Sequence, residues 1–194
     1  MIGTTKQHEP RICQGDILSD VHYIEDVTTD GEWIDVKRIL FPYVIVLTQD
    51  CDLQQDHGTR WPAGKAPTTQ DKKLISALLA PLYNAEHVFA GEHLSELKMT
   101  MQTINKGKHP GKTLVQNSTP RYHFLEFDAG VEIVNSVIDF KHYFSVNIER
   151  LTRHKEKHFV CKVDALYRED ISQRFAAFLS RIGLPNPHDA EQAA

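Results

Sequence analysis

Asp50, Cys51, Asp52, Asp56 and His57 fall within eight residues of one another, in the stretch YVIVLTQDCDLQQDH that runs from 43 to 57. A run of apolar residues ends at Thr48 and the chemistry begins two positions later. Carboxylates at i and i+2 point to one side of an extended strand, and hard cations such as Mg²⁺ take carboxylate oxygens. Asp50 and Asp52 are therefore candidate catalytic and metal-ligating residues for Mg²⁺, with Asp56, Asp16 or His57 to complete the set. The same residues equally suit a plain polar turn after a buried strand, where Asp and Gln face water. Cys51 sits between two carboxylates that disfavour its thiolate. Alternation turns it to the other face, as a small buried apolar side chain.

A second group of residues suits anions. From Leu97 to Leu125 there is no Asp or Glu, while Lys98, Lys106, Lys108, Lys112 and Arg121 occur with His109 and His123. In a chain of formal charge −4, this segregation points to a surface for phosphate or for an acidic partner protein, or to a solvated loop. Lys106, Lys108, Lys112, Arg121 and, further on, Lys141 are the candidate binding residues. His123 and His142 are candidate catalytic acid–base groups, provided their strands neighbour the one ending in TQDCD. Tyr122 and Phe124 share a strand face and offer stacking surfaces for bases. His154, His158 and Cys161 form an H-x3-H-x2-C pattern with ligand-like spacing on a helix. HFVCKV reads as a strand, however, which splays them, and a second ligand pair is missing.

These residues need elements to hold them. Residues 16–26 alternate as a strand, Asp30-Gly31 signals a hairpin turn, and EWIDVKRI alternates again. YVIVLT reads as a strand buried on both faces. Residues 54–71 are polar and read as a loop, and KKLISALLAP reads as a strand closed by Pro81. Asn84 can cap a helix in which Val88, Leu94, Leu97, Met101 and Ile104 recur at helical spacing, with Gly91 inside the pattern. RYHFLEF, VEIVNSVI, HYFSVNIERL and KHFVCKVDAL read as strands, the first two joined by a tight turn at 128–130. The last element is a helix capped by Asp170 or Ser172, with Phe175, Phe178, Leu179 and Ile182 on one face. Gly183 and Pro185 stop it, and 186–194 read as a frayed tail.

The fold class that follows is mainly β with α additions: a small, bent SH3-like β-barrel carrying an inserted helix and a C-terminal amphipathic helix. The chain of 194 residues, 41% hydrophobic, fits one domain. The barrel spans about 12–82 and 113–167, the helical insertion about 84–112, and the C-terminal helix about 169–183. Three cysteines without C-x-x-C pairing suit a reduced cytoplasmic setting. No run approaches the ~20 apolar residues of a membrane span, the N-terminus lacks a signal-peptide pattern, and no Gly-rich phosphate loop marks a nucleotide pocket.

The order of these motifs resembles MazF/PemK-like proteins. Gly15-Asp16-Ile17, then Pro42 to Thr48, then LISALLAP, then Ile138 to Arg150 follow the family's succession of segments over about half the chain. The resemblance implies an SH3-like barrel of the toxin endoribonuclease type, with RNA as substrate, a protein partner such as an antitoxin, and pairing as a homodimer. The family's basic residue after the buried strand has no counterpart here; Asp50 and Asp52 stand in its place, and Ser145 is a loose analogue of its late Ser/Thr. The alternative is a non-catalytic SH3-like protein-interaction module using the same bipolar surface.

Overall fold

The computed structural model describes residues 1–181. Eight strands form one curled antiparallel sheet, a half-barrel. They are β1 (Thr4–Thr5), β2 (Asp16–Asp30), β3 (Trp33–Val46), β4 (Ser76–Asn84), β5 (Tyr122–Leu125), β6 (Ser136–Asp139), β7 (Phe144–Asn147) and β8 (Phe159–Val163). The order across the sheet is β1-β8-β2-β3-β4-β6-β5, with β7 also paired to β4. The expected mainly β class is thus present, with helices α1 (Asp50–Arg60), α2 (Ala85–Ala90), α3 (Gly111–Val115), α4 (Ile148–His158) and α5 (Ala165–Leu179) attached.

The strand signals follow the apolar pattern. Ile17, Val44, Ile45, Leu79, Ala80 and Ile138 are completely buried, and their side chains alternate between two cores on either face of the curled sheet. The β2–β3 hairpin turns at Gly31, with Asp30 opposite Trp33, as the Asp-Gly pair demands; Gly31 takes a φ of +59°. Only the root of this hairpin joins the sheet. Every residue from Ile24 to Arg38 is exposed, so the distal half projects as a two-stranded arm.

Strand β4 runs on through Pro81 to Asn84, where Pro81 was expected to close it, and four segments differ more widely from the sequence expectation. Residues 50–60 are helix α1 rather than strand end and loop. Asp50 and Asp52 occupy its first turn and His57 and Arg60 its last, the charge order a helix dipole favours. Leu53 and Asp56 are the buried positions, and one apolar residue leaves no periodicity to read. The buried Asp56 carboxylate accepts from Arg60 Nε at 2.8 Å and from Leu74 N–H at 2.6 Å, which closes the loop that follows.

The expected helix over 84–104 stops at Ala90. Asn84 caps it as anticipated, its side chain accepting from Glu86 N–H at 2.9 Å. Gly91 then takes a left-handed φ of +78° and the chain doubles back, with Met101 N–H on Gly91 O and Ile104 N–H on Phe89 O. Val88, Leu94 and Ile104 are still buried together, now through a turn instead of a helix face.

Residues 148–158 are helix α4, not the continuation of a strand. Asn147 caps it by accepting from Arg150 N–H, and Ile148, Leu151 and Lys155 form its buried side. The final helix begins at Ala165 after Asp164, not at Asp170 or Ser172; it buries Ile171, Phe175 and Phe178 while Leu179 stays exposed. Ile182, Gly183, Pro185 and the 186–194 tail lie outside the described residues. Among those described, no helix is long and apolar enough to cross a membrane.

Candidate functional site

The residues expected to form a site divide sharply once placed. Helical geometry separates Asp50 and Asp52, because positions i and i+2 do not face each other on a helix. Asp50 accepts from Arg11 Nη1 and Nη2, both at 3.0 Å, and from Gln14 N–H at 3.1 Å, with Arg168 Nη1 3.7 Å away. Burial pushes its pKa up, but the Arg11 and Gln14 bonds and the two arginine charges outweigh that and hold it below the ordinary carboxylate value. Asp52 is exposed. The pair does not converge on one cation position, which corrects the expected Mg²⁺ site. Cys51 is also exposed, since the helix turns it outward where a strand would have buried it.

His123 is a core residue. Alternation along β5 points it inward against Phe140, and it is 3% exposed. Burial and the neighbouring Arg174 push its pKa down to about 3, so it is neutral. It lies on the face of β5 opposite Tyr122 and does not join the other candidates. His154 and His158 stack at 4.0 Å between ring centroids, while Cys161 is buried in the core on β8, so the H-x3-H-x2-C pattern does not converge.

The sheet does assemble one constellation. β6 ends at Asp139, whose side chain caps the short 3₁₀ turn Phe140–His142 by accepting from Lys141 N–H at 3.0 Å. Pairing of β5 with β6 sets Tyr122 opposite Asp139, and Phe140 N–H donates to Arg121 O. The Arg121 guanidinium thereby reaches Asp139, with Nε donating at 2.9 and 3.0 Å to its two oxygens and Nη2 to one of them. Pairing of β4 with β6 sets Tyr83 alongside, its hydroxyl 3.1 Å from His142 Nδ1. The same nitrogen lies 3.6 Å from Asp139 Oδ2. His93 arrives from the turn after Gly91, its ring 5.0 Å from that of Tyr83 and 6.3 Å from that of His142.

His93, Asp139 and His142 present ligand atoms that all lie within 4.8 Å of one another, the one such group among the described residues. Both ring nitrogens of His93 are buried and have no hydrogen-bond partner among the described residues. Burial lowers the pKa of both histidines; Asp139 opposes the effect, and Arg121 adds to it in each case. Burial, and then the charge of Asp139, raise the pKa of the Tyr83 hydroxyl and keep it protonated, and its oxygen can accept from His142 Nδ1–H, which leaves Nε2 free as a ligand. Neutral imidazoles beside a buried carboxylate are the protonation states that a metal ion requires.

A cavity of about 270 Å³ opens beside this group, lined by Tyr23, Phe41, Met99, Lys141, His142 and Tyr143 among others. Lys141 is exposed at its edge. Of the remaining expected binding residues, Lys108 and Lys112 are exposed, Lys106 is paired with Glu86 at 2.6 Å, and Arg121 is committed to Asp139. A larger cavity of about 550 Å³ lies between α1 and α4, where Arg60 is already neutralised by Asp56 and Glu149.

Arg121, Asp139, Lys141 and His142 are thus drawn together, but His123 faces the core and β4 separates β5 and β6 from the strand that ends before Asp50, which the expected site required as a neighbour. His93 was not legible, because the apolar spacing around it read as an unbroken helix. No protein-family model matches the chain, and no curated protein sequence matches it.

Proposed function

We propose that the protein is a metal-dependent phosphodiesterase acting on single-stranded RNA, with His93, Asp139 and His142 as the metal ligands. The observation that carries this is the convergence of two neutral imidazoles and one buried carboxylate within 4.8 Å, with neither ring nitrogen of His93 hydrogen-bonded among the described residues. The donor set favours a transition ion such as Zn²⁺ or Mn²⁺ over the Mg²⁺ that paired carboxylates would take. Such an ion supplies a water that ionises near neutral pH and a Lewis acid for phosphoryl oxygen. Arg121 fixes the Asp139 carboxylate and Tyr83 fixes the His142 ring, the kind of support that orients metal ligands. Lys141, with Lys108 and Lys112 on the acid-free segment, supplies phosphate contacts. Tyr143, 42% exposed on the cavity wall, offers a face for a base. The curled half-barrel sheet is compatible with an SH3-like barrel, and the resemblance of the sequence to MazF/PemK-like proteins supports RNA as the substrate.

A second reading is favoured by one specific feature. The Asp139 carboxylate already accepts from Arg121 and from Lys141 N–H, a saturation that also suits a purely structural centre in a non-catalytic SH3-like interaction module. Cleavage of labelled single-stranded RNA separates the two, using protein loaded with Mn²⁺ or Zn²⁺, the same protein with EDTA, and the His93→Ala and His142→Ala variants. The phosphodiesterase cleaves only with metal and loses at least about a hundredfold of its rate in either variant. Absence of cleavage by folded, metal-loaded protein makes the interaction module the correct reading.

A further inference from the structure

The two histidines of the metal group open onto different cavities. His142 lines the cavity of about 270 Å³, and His93 lines a second one of about 350 Å³. Phe41, Tyr83 and Leu94 line both and form the wall between them. The two differ in charge. Among the described residues, the His142 cavity has Lys141 at its edge and no Asp or Glu, whereas the His93 cavity has Glu92 and Glu96 and no Lys or Arg. A phosphate-bearing group is therefore drawn to the His142 side and turned away from the His93 side.

The walls of the His142 cavity suit a flat, largely apolar group. Phe41 stands beside Phe144 with ring centroids 5.3 Å apart, Tyr23 meets Phe144 edge-on at 5.3 Å, and Tyr83 meets Phe41 edge-on at 6.4 Å. These rings come from β2, β3, β4 and β7, so paired strands hold the wall in place. Met99 and Tyr143, 49% and 42% exposed, line it from the solvent side. Drug-sized ligands occupy pockets of about 300–1,000 Å³, so this volume takes one heterocycle and not a stacked pair. We infer that the cavity receives one unpaired base of the strand, that of the nucleotide whose phosphate is cut. The inference rests on the reading of the protein as a metal-dependent phosphodiesterase. A base against the His142 ring brings the phosphate of its own sugar beside the metal ligands and within reach of Lys141. A base in a duplex enters only by leaving its partner, so the pocket selects single strands. Stacking and shape hold the base, and every base offers a face, so the pocket excludes duplex without reading sequence.

Cleavage of a labelled single-stranded RNA by the Mn²⁺- or Zn²⁺-loaded chain tests this, beside the same strand carrying one abasic ribose. Cleavage at one or both phosphates flanking that ribose falls at least about tenfold, while distant phosphates are cut as before. Met99→Trp fills the cavity from its exposed side. With folding established by circular dichroism and Co²⁺ affinity unchanged, this variant cleaves the intact RNA at least about tenfold less efficiently, mainly through a raised KM. Equal cleavage beside the abasic and the intact residue overturns the base pocket and leaves the phosphodiesterase standing. So does full RNA cleavage by Met99→Trp. Absence of cleavage by the folded, metal-loaded wild type overturns the phosphodiesterase reading itself, and the base pocket with it.

Discussion

Arg11 holds Asp50 by a two-pronged grip, Nη1 on Oδ1 and Nη2 on Oδ2, each at 3.0 Å. The carboxylate that looked most like a metal ligand in the sequence is the anchor that ties the first turn of α1 to the segment before β2. Both side chains are about four-fifths buried, at 17% and 23% exposure. Charge-assisted bidentate pairs in such settings are the strong ones. Asp50→Asn should lower unfolding free energy by about 1–3 kcal/mol, read by urea denaturation. RNA cleavage per folded molecule should stay unchanged. A large loss of cleavage with stability intact would return Asp50 to the chemistry.

Lys155 and Asp16 make a deeper pair, 1% and 0% exposed, with Nζ 2.7 Å from Oδ2. Lys155 also donates to Arg11 O, and Cys13 N–H donates to the same Asp16 oxygen. Removing one partner of such a pair strands the other charge away from water. Lys155→Met should therefore cost about 3–5 kcal/mol, while Lys155→Met combined with Asp16→Asn should regain part of that loss. Thermal denaturation of the single and double variants checks the ordering. A double variant no more stable than Lys155→Met alone would show that the charge on Asp16 is not what the lysine answers.

How far the sequence could be read depends on whether apolar spacing or polar contact decides an element. The buried end of β3 and the first part of β4 were legible, since Val44 to Val46 and Leu79 to Ala80 have little choice but the core, although β4 runs on through Pro81 to Asn84. Helix α1 was not, because its one buried apolar residue is Leu53 and its place is fixed by Asp50 and Asp56 finding Arg11, Arg60 and Leu74 N–H. Arg11 and Leu74 are remote in sequence. Helix α4 did leave a signal, Asn147 before Ile148, Leu151 and Lys155, but it follows a strand-like run that masks its start. At the site, Asp139 ends β6, Lys141 and His142 lie in the turn that follows it, and Arg121 stands just before the paired strand β5. His93 reaches them only through the reversal at Gly91.

That reversal can be tested at Gly91 itself. Its φ of +78° is one that a side chain resists, and an added Cβ would overlap the carbonyl oxygen of Met101. Gly91→Ala should destabilise the protein by more than about 1 kcal/mol. Because His93 is two residues on, it should also weaken metal binding, measured by titration with Co²⁺ and its visible absorption, more than it weakens the fold. Equal metal affinity in wild type and Gly91→Ala would show that His93 is placed by something other than this turn.

The pH dependence of stability has a clear sign at His123. Its folded pKa is pushed down to about 3 from an ordinary 6.5, by burial first and by Arg174 second. Between those values the unfolded chain binds a proton at this position and the folded chain does not. Stability due to this residue is therefore complete above pH 6.5 and declines as pH falls, by about 1.4 kcal/mol per unit, until it levels off near the folded pKa. Asp170, 4.0 Å from Nε2 and half exposed, is too distant and too solvated to stabilise the imidazolium. His93, His142 and His154, whose pKa values burial also lowers, contribute slopes of the same sign. The wild-type slope alone is then not diagnostic, and the difference from His123→Leu is. That variant keeps an apolar side chain of similar size against Phe140, so it should lose the His123 share of the slope between pH 4 and 6.5. Urea denaturation at several pH values measures both curves. Parallel curves would mean that His123 is protonated in the fold, and that Asp170 pairs with it after all.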